Sequence, residues 1–128
     1  MKIRNSFVTN SSSSSFIISV KNGANNQAAR NIIRLFEFMS SEEYFDWYGV
    51  IDNIESLGSV MDIQKSMNEN EFWGHQSLRE RIENQDTTLL GKQFYDLTFE
   101  RSWDELRDIL FDLIDSIDGM KIESREMY

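Results

Sequence analysis

The last third of the chain leaves the fewest choices of fold. Over residues 93–101, Tyr95, Leu97 and Phe99 alternate with Phe94, Asp96, Thr98 and Glu100, the period of a half-buried strand. Ser102 followed by Glu105 has the form of a capping box, and it opens a helix over 103–118 with Leu106, Ile109, Leu110, Leu113 and Ile117 as one apolar stripe. Gly119 supplies the stop, and 120–127 reads as a final strand centred on Ile122. Strand, helix and strand in succession suggest a right-handed crossover, with a short one-residue joint at Gly119.

Upstream, residues 16–21 read as a strand with Phe16, Ile18 and Val20 on one face and Ile17, Ser19 and Lys21 on the other. Residues 10–15 before it read as a loop, because Asn and Ser side chains bond to nearby backbone and compete with regular ladders. A short strand is expected over 2–8. Ala29, Ile32, Ile33, Phe36 and Met39 recur at helical spacing over 27–39, with Asn25 or Asn26 as the N-cap. Ser40 with Glu43 forms a second capping box, ahead of a short helix over 42–48 that stops at Gly49. Residues 50–85 carry short helical signals. One covers 52–57 and stops at Gly58; another opens at Ser59 with Asp62 and buries Val60, Ile63 and Met67; a third opens at Ser77 with Glu80, ahead of Leu78 and Ile82. The fold class implied is α+β, a single domain over 1–128. A three- to four-stranded sheet is drawn from both chain ends, with the central and C-terminal helices packed on one face. Residues 1–15 would form an N-terminal arm or a hairpin with a serine-rich loop.

Composition narrows the chemistry. Apolar residues make up 40% of the 128, enough to offset the ordering entropy of a folded core without a staple. With no cysteine and a single histidine, His75, there is no thiolate zinc site, no cysteine nucleophile and no histidine-rich metal cluster. Polar serines arrive where a signal peptide would need its apolar stretch, and no segment nears the length of a membrane span, so a cytoplasmic protein is expected. The net charge is −9 and unevenly spread: residues 1–34 hold five bases and no acid, whereas 35–64 hold seven acids and no base. That field disfavours direct nucleic-acid binding and favours a partner with a basic surface.

Three groups of residues are candidates for function. Asp104, Asp108 and Asp112, spaced by four with Asp115 next along the same face, place carboxylates about 5–6 Å apart on the C-terminal helix, close to the phosphate spacing of one nucleic-acid strand. Such a row either imitates a nucleic-acid backbone in the groove of a host protein or is simply a solvated helix face, with Arg107 in reach of Asp104 and Asp108. Glu42, Glu43 and Trp47 lie in a segment too rich in aromatics for one short helix to bury, so it either presents an interface anchor or closes the core. Finally, Ser11, Ser12, Ser13, Ser14 and Ser15, with Lys2, Arg4 and Lys21, offer hydroxyls, amides and positive charge to a phosphate or nucleotide, though the loop lacks the glycines and lysine of a phosphate-binding motif. His75 has Glu71 four residues before it, a pair that could act together only if a helix ran through Gly74. No catalytic residue, cofactor or metal is expected.

The opening Phe7-Val8-Thr9-Asn10, the five serines and Phe16, preceded by Met1-Lys2-Ile3-Arg4, resemble a signature, FV(S/T)NSSSSSF, that begins many small uncharacterised proteins of bacteria and their phages. The likeness covers about the first 18 residues. It implies a phage or mobile-element setting and a non-secreted protein, and it brings no catalytic residue with it. Together these features lead to the expectation of a non-enzymatic acidic interaction protein that binds or inhibits a host protein, with a phosphate-binding domain as the alternative.

Overall fold

A computed structural model describes residues 13–23, 26–40, 51, 53–100 and 104–127. The elements in order are β1 (Ser13–Lys21), α1 (Gln27–Met39), β2 (Asn53–Gly58), α2 (Val60–Asn68), α3 (Gln76–Glu83), a 3-10 turn (Thr87–Leu89), β3 (Lys92–Glu100), α4 (Asp104–Ser116) and β4 (Met120–Met127). Four strands form one sheet in the order β2-β3-β1-β4, every neighbouring pair antiparallel. Both β3 and β4 are antiparallel to β1, so they run in the same direction with β1 between them and α4 as the crossover. By the same reasoning β1 and β2 flank β3, joined through α1. Two such split β-α-β units interleaved give the ferredoxin-like arrangement, here with α2 and α3 inserted between β2 and β3.

The α+β class with a four-stranded sheet is as the residue pattern predicts. Its helices, however, divide between the two faces. Phe16, Ile18 and Val20 of β1 meet Leu97 and Phe99 of β3, Ala29, Ile33 and Phe36 of α1, and Leu110, Phe111 and Ile114 of α4. Phe16, Phe99 and Phe111 pack edge to face at centroid distances of 4.4 to 6.0 Å, the geometry that ring quadrupoles favour. On the opposite face Ile17 and Phe94 meet Ile63 of α2, Phe72 of the loop after α2, Leu78 and Ile82 of α3, and Leu89. With helices on both sides, β1 is buried from Ser14 to Val20, as a central strand between two layers should be.

Several local expectations give way to these contacts. Of the loop expected over 10–15, Ser13–Ser15 belong instead to β1, whose register against β3 starts at the Ser13–Glu100 pair, and 10–12 lie outside the described residues. Of the helix expected over 52–57, the described part, 53–57, is not helical: Asn53–Gly58 pairs with β3, and an available ladder outweighs a weak local helical preference. The box expected at Ser77 and Glu80 is replaced by a start two residues earlier, with His75 at the N-cap and no side-chain cap. The Ser59–Asp62 capping box is present as expected, with both reciprocal bonds formed. On α4 the apolar stripe is displaced. The helix is rolled so that Phe111 reaches Phe16 and Phe99, which turns Ile109 and Leu113 outward at 57% and 38% exposure. The strand over 2–8, the helix over 42–48 and the Ser102 cap lie outside the described residues.

Candidate functional site

The face of the sheet that α3 covers is partly polar, and the sequence dictates how. Strand alternation puts Ser15 and Ser19 beside Ile17, and Lys92, Asp96 and Thr98 in line with Phe94. A β-bulge adds to them. Ile17 pairs with Ser124 and Ile18 with Ile122, so Glu123 is the extra residue in β4. A bulge re-aims side chains, and here Glu123 and Ser124 both point under α3.

His75 enters this layer from the loop before α3. It is 1% exposed, its Nε2 lies 2.9 Å from Ser15 Oγ, and its Nδ1 lies 2.8 Å from Ser124 Oγ. Ser15 Oγ donates its proton to Asp96 Oδ1 at 2.7 Å. A hydroxyl has one proton to give, so His75 must donate from Nε2 to Ser15. Ser124 then donates to Nδ1 of a neutral ring or accepts from a charged one, since a hydroxyl serves either role. The backbone N–H of His75 donates to the Glu126 carboxylate. Loop, β1, β3 and β4 are thereby tied together through one imidazole.

The three residue types of a hydrolytic triad are present in a different order of contact. Asp96 meets the serine rather than the far nitrogen of the imidazole, which faces Ser124 instead. Ser15, His75 and Asp96 are all at or below 1% exposure. What this geometry does chemically is satisfy buried polar groups and fix the position of α3.

A second polar cluster lies beside it. Glu123, its side chain fully buried, accepts from Ser19 Oγ at 2.6 Å, from Arg81 Nη1 at 3.0 Å and from Lys92 Nζ at 2.9 Å. Arg81 continues to Asp86 Oδ2 at 2.9 Å and Thr88 Oγ1 at 3.2 Å. Burial alone would raise the Glu123 pKa, but the hydrogen bonds from Ser19, Lys92 and Arg81 outweigh it and hold the carboxyl below its ordinary range. Hydrogen bonds from Thr88 and Arg81 depress Asp86 further.

The entry of His75 depends on backbone geometry. Gly74 and His75 are both left-handed, at φ of 73° and 52°. A Cβ on Gly74 would stand 2.7 Å from a carboxylate oxygen of Glu126. Gly91 has the same φ of 73° and open space around it. Gly91→Ala should therefore cost only the left-handed penalty, about 1–2 kcal/mol. Gly74→Ala should cost measurably more, because Glu126 must also move off His75; urea unfolding of the pair checks this.

The residues singled out from sequence fall in different places. Asp108, Asp112 and Asp115 are exposed on α4, and Asp104 is its first residue. Arg107 Nη2 lies 3.6 Å from Asp108 Oδ1. Ser14 and Ser15 are buried within β1, so their hydroxyls do not face solvent, and the anion-site reading does not extend to them. Ser13 begins β1, and Lys21 is exposed at its end. Glu42, Glu43, Trp47, Ser11, Ser12, Lys2 and Arg4 lie outside the described residues. Sequence reasoning missed the Ser15–His75–Asp96–Ser124 cluster; its one visible sign was serine at every second position around Ile17. Among the described residues no group of three or more acids or histidines is placed to hold a metal, and no helix is long and apolar enough to cross a membrane. No protein-family model, curated protein or solved structure matches the chain.

Proposed function

We propose that the chain is a non-enzymatic cytoplasmic binding domain that engages a host protein through the outer face of α4, in the phage or mobile-element setting that its opening motif suggests. The observation that carries this reading is the pairing of apolar and acidic side chains on one exposed surface. Ile109 and Leu113, one turn apart, stand in solvent. Asp108, Asp112 and Asp115 line the adjacent flank, and Glu105 is exposed one turn before Ile109. A helix face that is only solvated has no need of two neighbouring aliphatic side chains, whereas an interface has an apolar centre and a polar rim. The carboxylate row selects a partner with a basic groove and speeds encounter with it.

The test is affinity capture from host extract, followed by identification of the bound protein and measurement of its Kd. Asp108→Lys with Asp112→Lys should weaken binding by about tenfold or more and flatten its salt dependence. Ile109→Ser with Leu113→Ser should weaken it with the salt dependence kept. A charge-reversed protein that binds the same partner with unchanged affinity and salt dependence removes α4 as the binding face.

A further inference from the structure

We infer that Trp73 is a second binding site, a receptor for the cationic side chain of a protein partner, with arginine the best fit. The site belongs to the α2–α3 layer, on the opposite side of the sheet from α4, and it does not rest on the α4 reading.

Trp73 stands between two deeply buried neighbours. Phe72 and His75 point into the core, while Trp73 is 64% exposed. Its indole Nε1–H donates to the carbonyl of Asn70 at 2.7 Å. The only hydrogen-bonding group of the ring is thus turned back on its own loop, and what remains in solvent is apolar ring face. Asn70 on one side and Gly74 and His75 on the other hold left-handed φ values, so the loop is fixed at both ends by specific backbone conformations. A large aromatic held outward in this way is preorganised for contact, since little rotamer freedom remains to be lost on binding.

Charge selects the occupant. Glu69 and Glu71 are exposed on the same loop, and the carboxylate of Glu126 sits at the His75 amide beside Gly74. The segment 69–75 holds no lysine or arginine. Phosphates would be repelled here, whereas a cation is drawn both to the negative ring face and to the carboxylates. Guanidinium suits both at once, because it stacks flat on an indole and offers a fork of donors to a carboxylate.

The experiment titrates the folded protein with the peptide Gly-Arg-Gly-Arg-Gly, following the indole N–H signals by 15N NMR. The signal lost in Trp73→Leu identifies Trp73. A saturable displacement of that signal is expected with the arginine peptide and not with its citrulline counterpart. By fluorescence anisotropy, Trp73→Leu should weaken the labelled peptide about two- to fivefold, the size of an exposed cation–π contact, with an unchanged unfolding midpoint. Glu71→Gln should weaken it in the same direction. The inference is overturned if Trp73→Leu binds as the parent does or if the citrulline peptide binds equally. It also fails if the signal instead answers to oligothymidylate, which indicates base stacking, or to protein concentration alone, which indicates self-association.

Discussion

Glu123→Ala is expected to cost the fold about 3–5 kcal/mol, the loss typical of breaking a buried charge network from one side. The carboxylate is enclosed, and its removal strands three donors at once: the Ser19 hydroxyl, Lys92 and one arm of Arg81. Two positive charges are then left facing each other without the anion between them. Glu123→Gln, which keeps shape and one acceptor, should recover part of the loss. The same carboxylate sets a pH dependence. Its pKa in the fold lies below that of the unfolded chain, as do those of Asp86 and Asp62. A depressed carboxyl stabilises the fold fully above the unfolded value and loses that contribution as pH falls through the folded one. The urea midpoint should therefore hold from neutral pH down to about 5 and decline below about 4. In Glu123→Gln the decline should be shallower. An equal acid slope in both proteins would move the acid sensitivity elsewhere.

His75→Ala is the second large expected loss, at about 3 kcal/mol or more. Ser15 Oγ and Ser124 Oγ each lose a partner in a sealed site, at about 1–3 kcal/mol for each group left unsatisfied. Histidine bears the left-handed strain at φ 52° as well, so the backbone adds only the difference between the two residues. His75→Asn separates these contributions, because asparagine tolerates that backbone conformation and keeps some hydrogen bonding. Asparagine is expected to fall between the parent and alanine in chemical unfolding. Hydrogen exchange in the alanine variant should rise first in α3, the element the imidazole positions.

Much of the frame could be read from local pattern. Alternation around Phe16, Ile18 and Val20 located β1, the spacing of Ala29, Ile33 and Phe36 located α1, and Ser59 with Asp62 located the start of α2. Gly119 and the strand after it were equally plain. These signals are short-range, set by neighbours within one or two turns. What escaped was decided at long range. Asn53–Gly58 became a strand because β3 lies beside it, and α4 rolled by its need to seat Phe111 against rings far away in sequence. The polar layer was least legible of all. Ser15, His75, Asp96 and Ser124 come from four separate elements, and the bulge that aims Ser124 is an irregularity of pairing with no composition of its own. On α4 the acidic positions are visible in the sequence, whereas helical spacing assigns the exposed Ile109 and Leu113 beside them to the core.

The position of β1 at the middle of the sheet bears on how the protein is made. Its two partners, β3 and β4, emerge from the ribosome only after residue 91, so the most apolar strand leaves the tunnel long before either neighbour exists. At about 5–20 residues per second the nascent chain carries Phe16-Ile17-Ile18 unpaired for seconds. Ser15 and Ser19, which end as buried hydrogen-bonding groups, flank that run during the wait and keep it partly wetted. The same side chains that later lock α3 in place thus help the young chain stay in solution until its sheet can close.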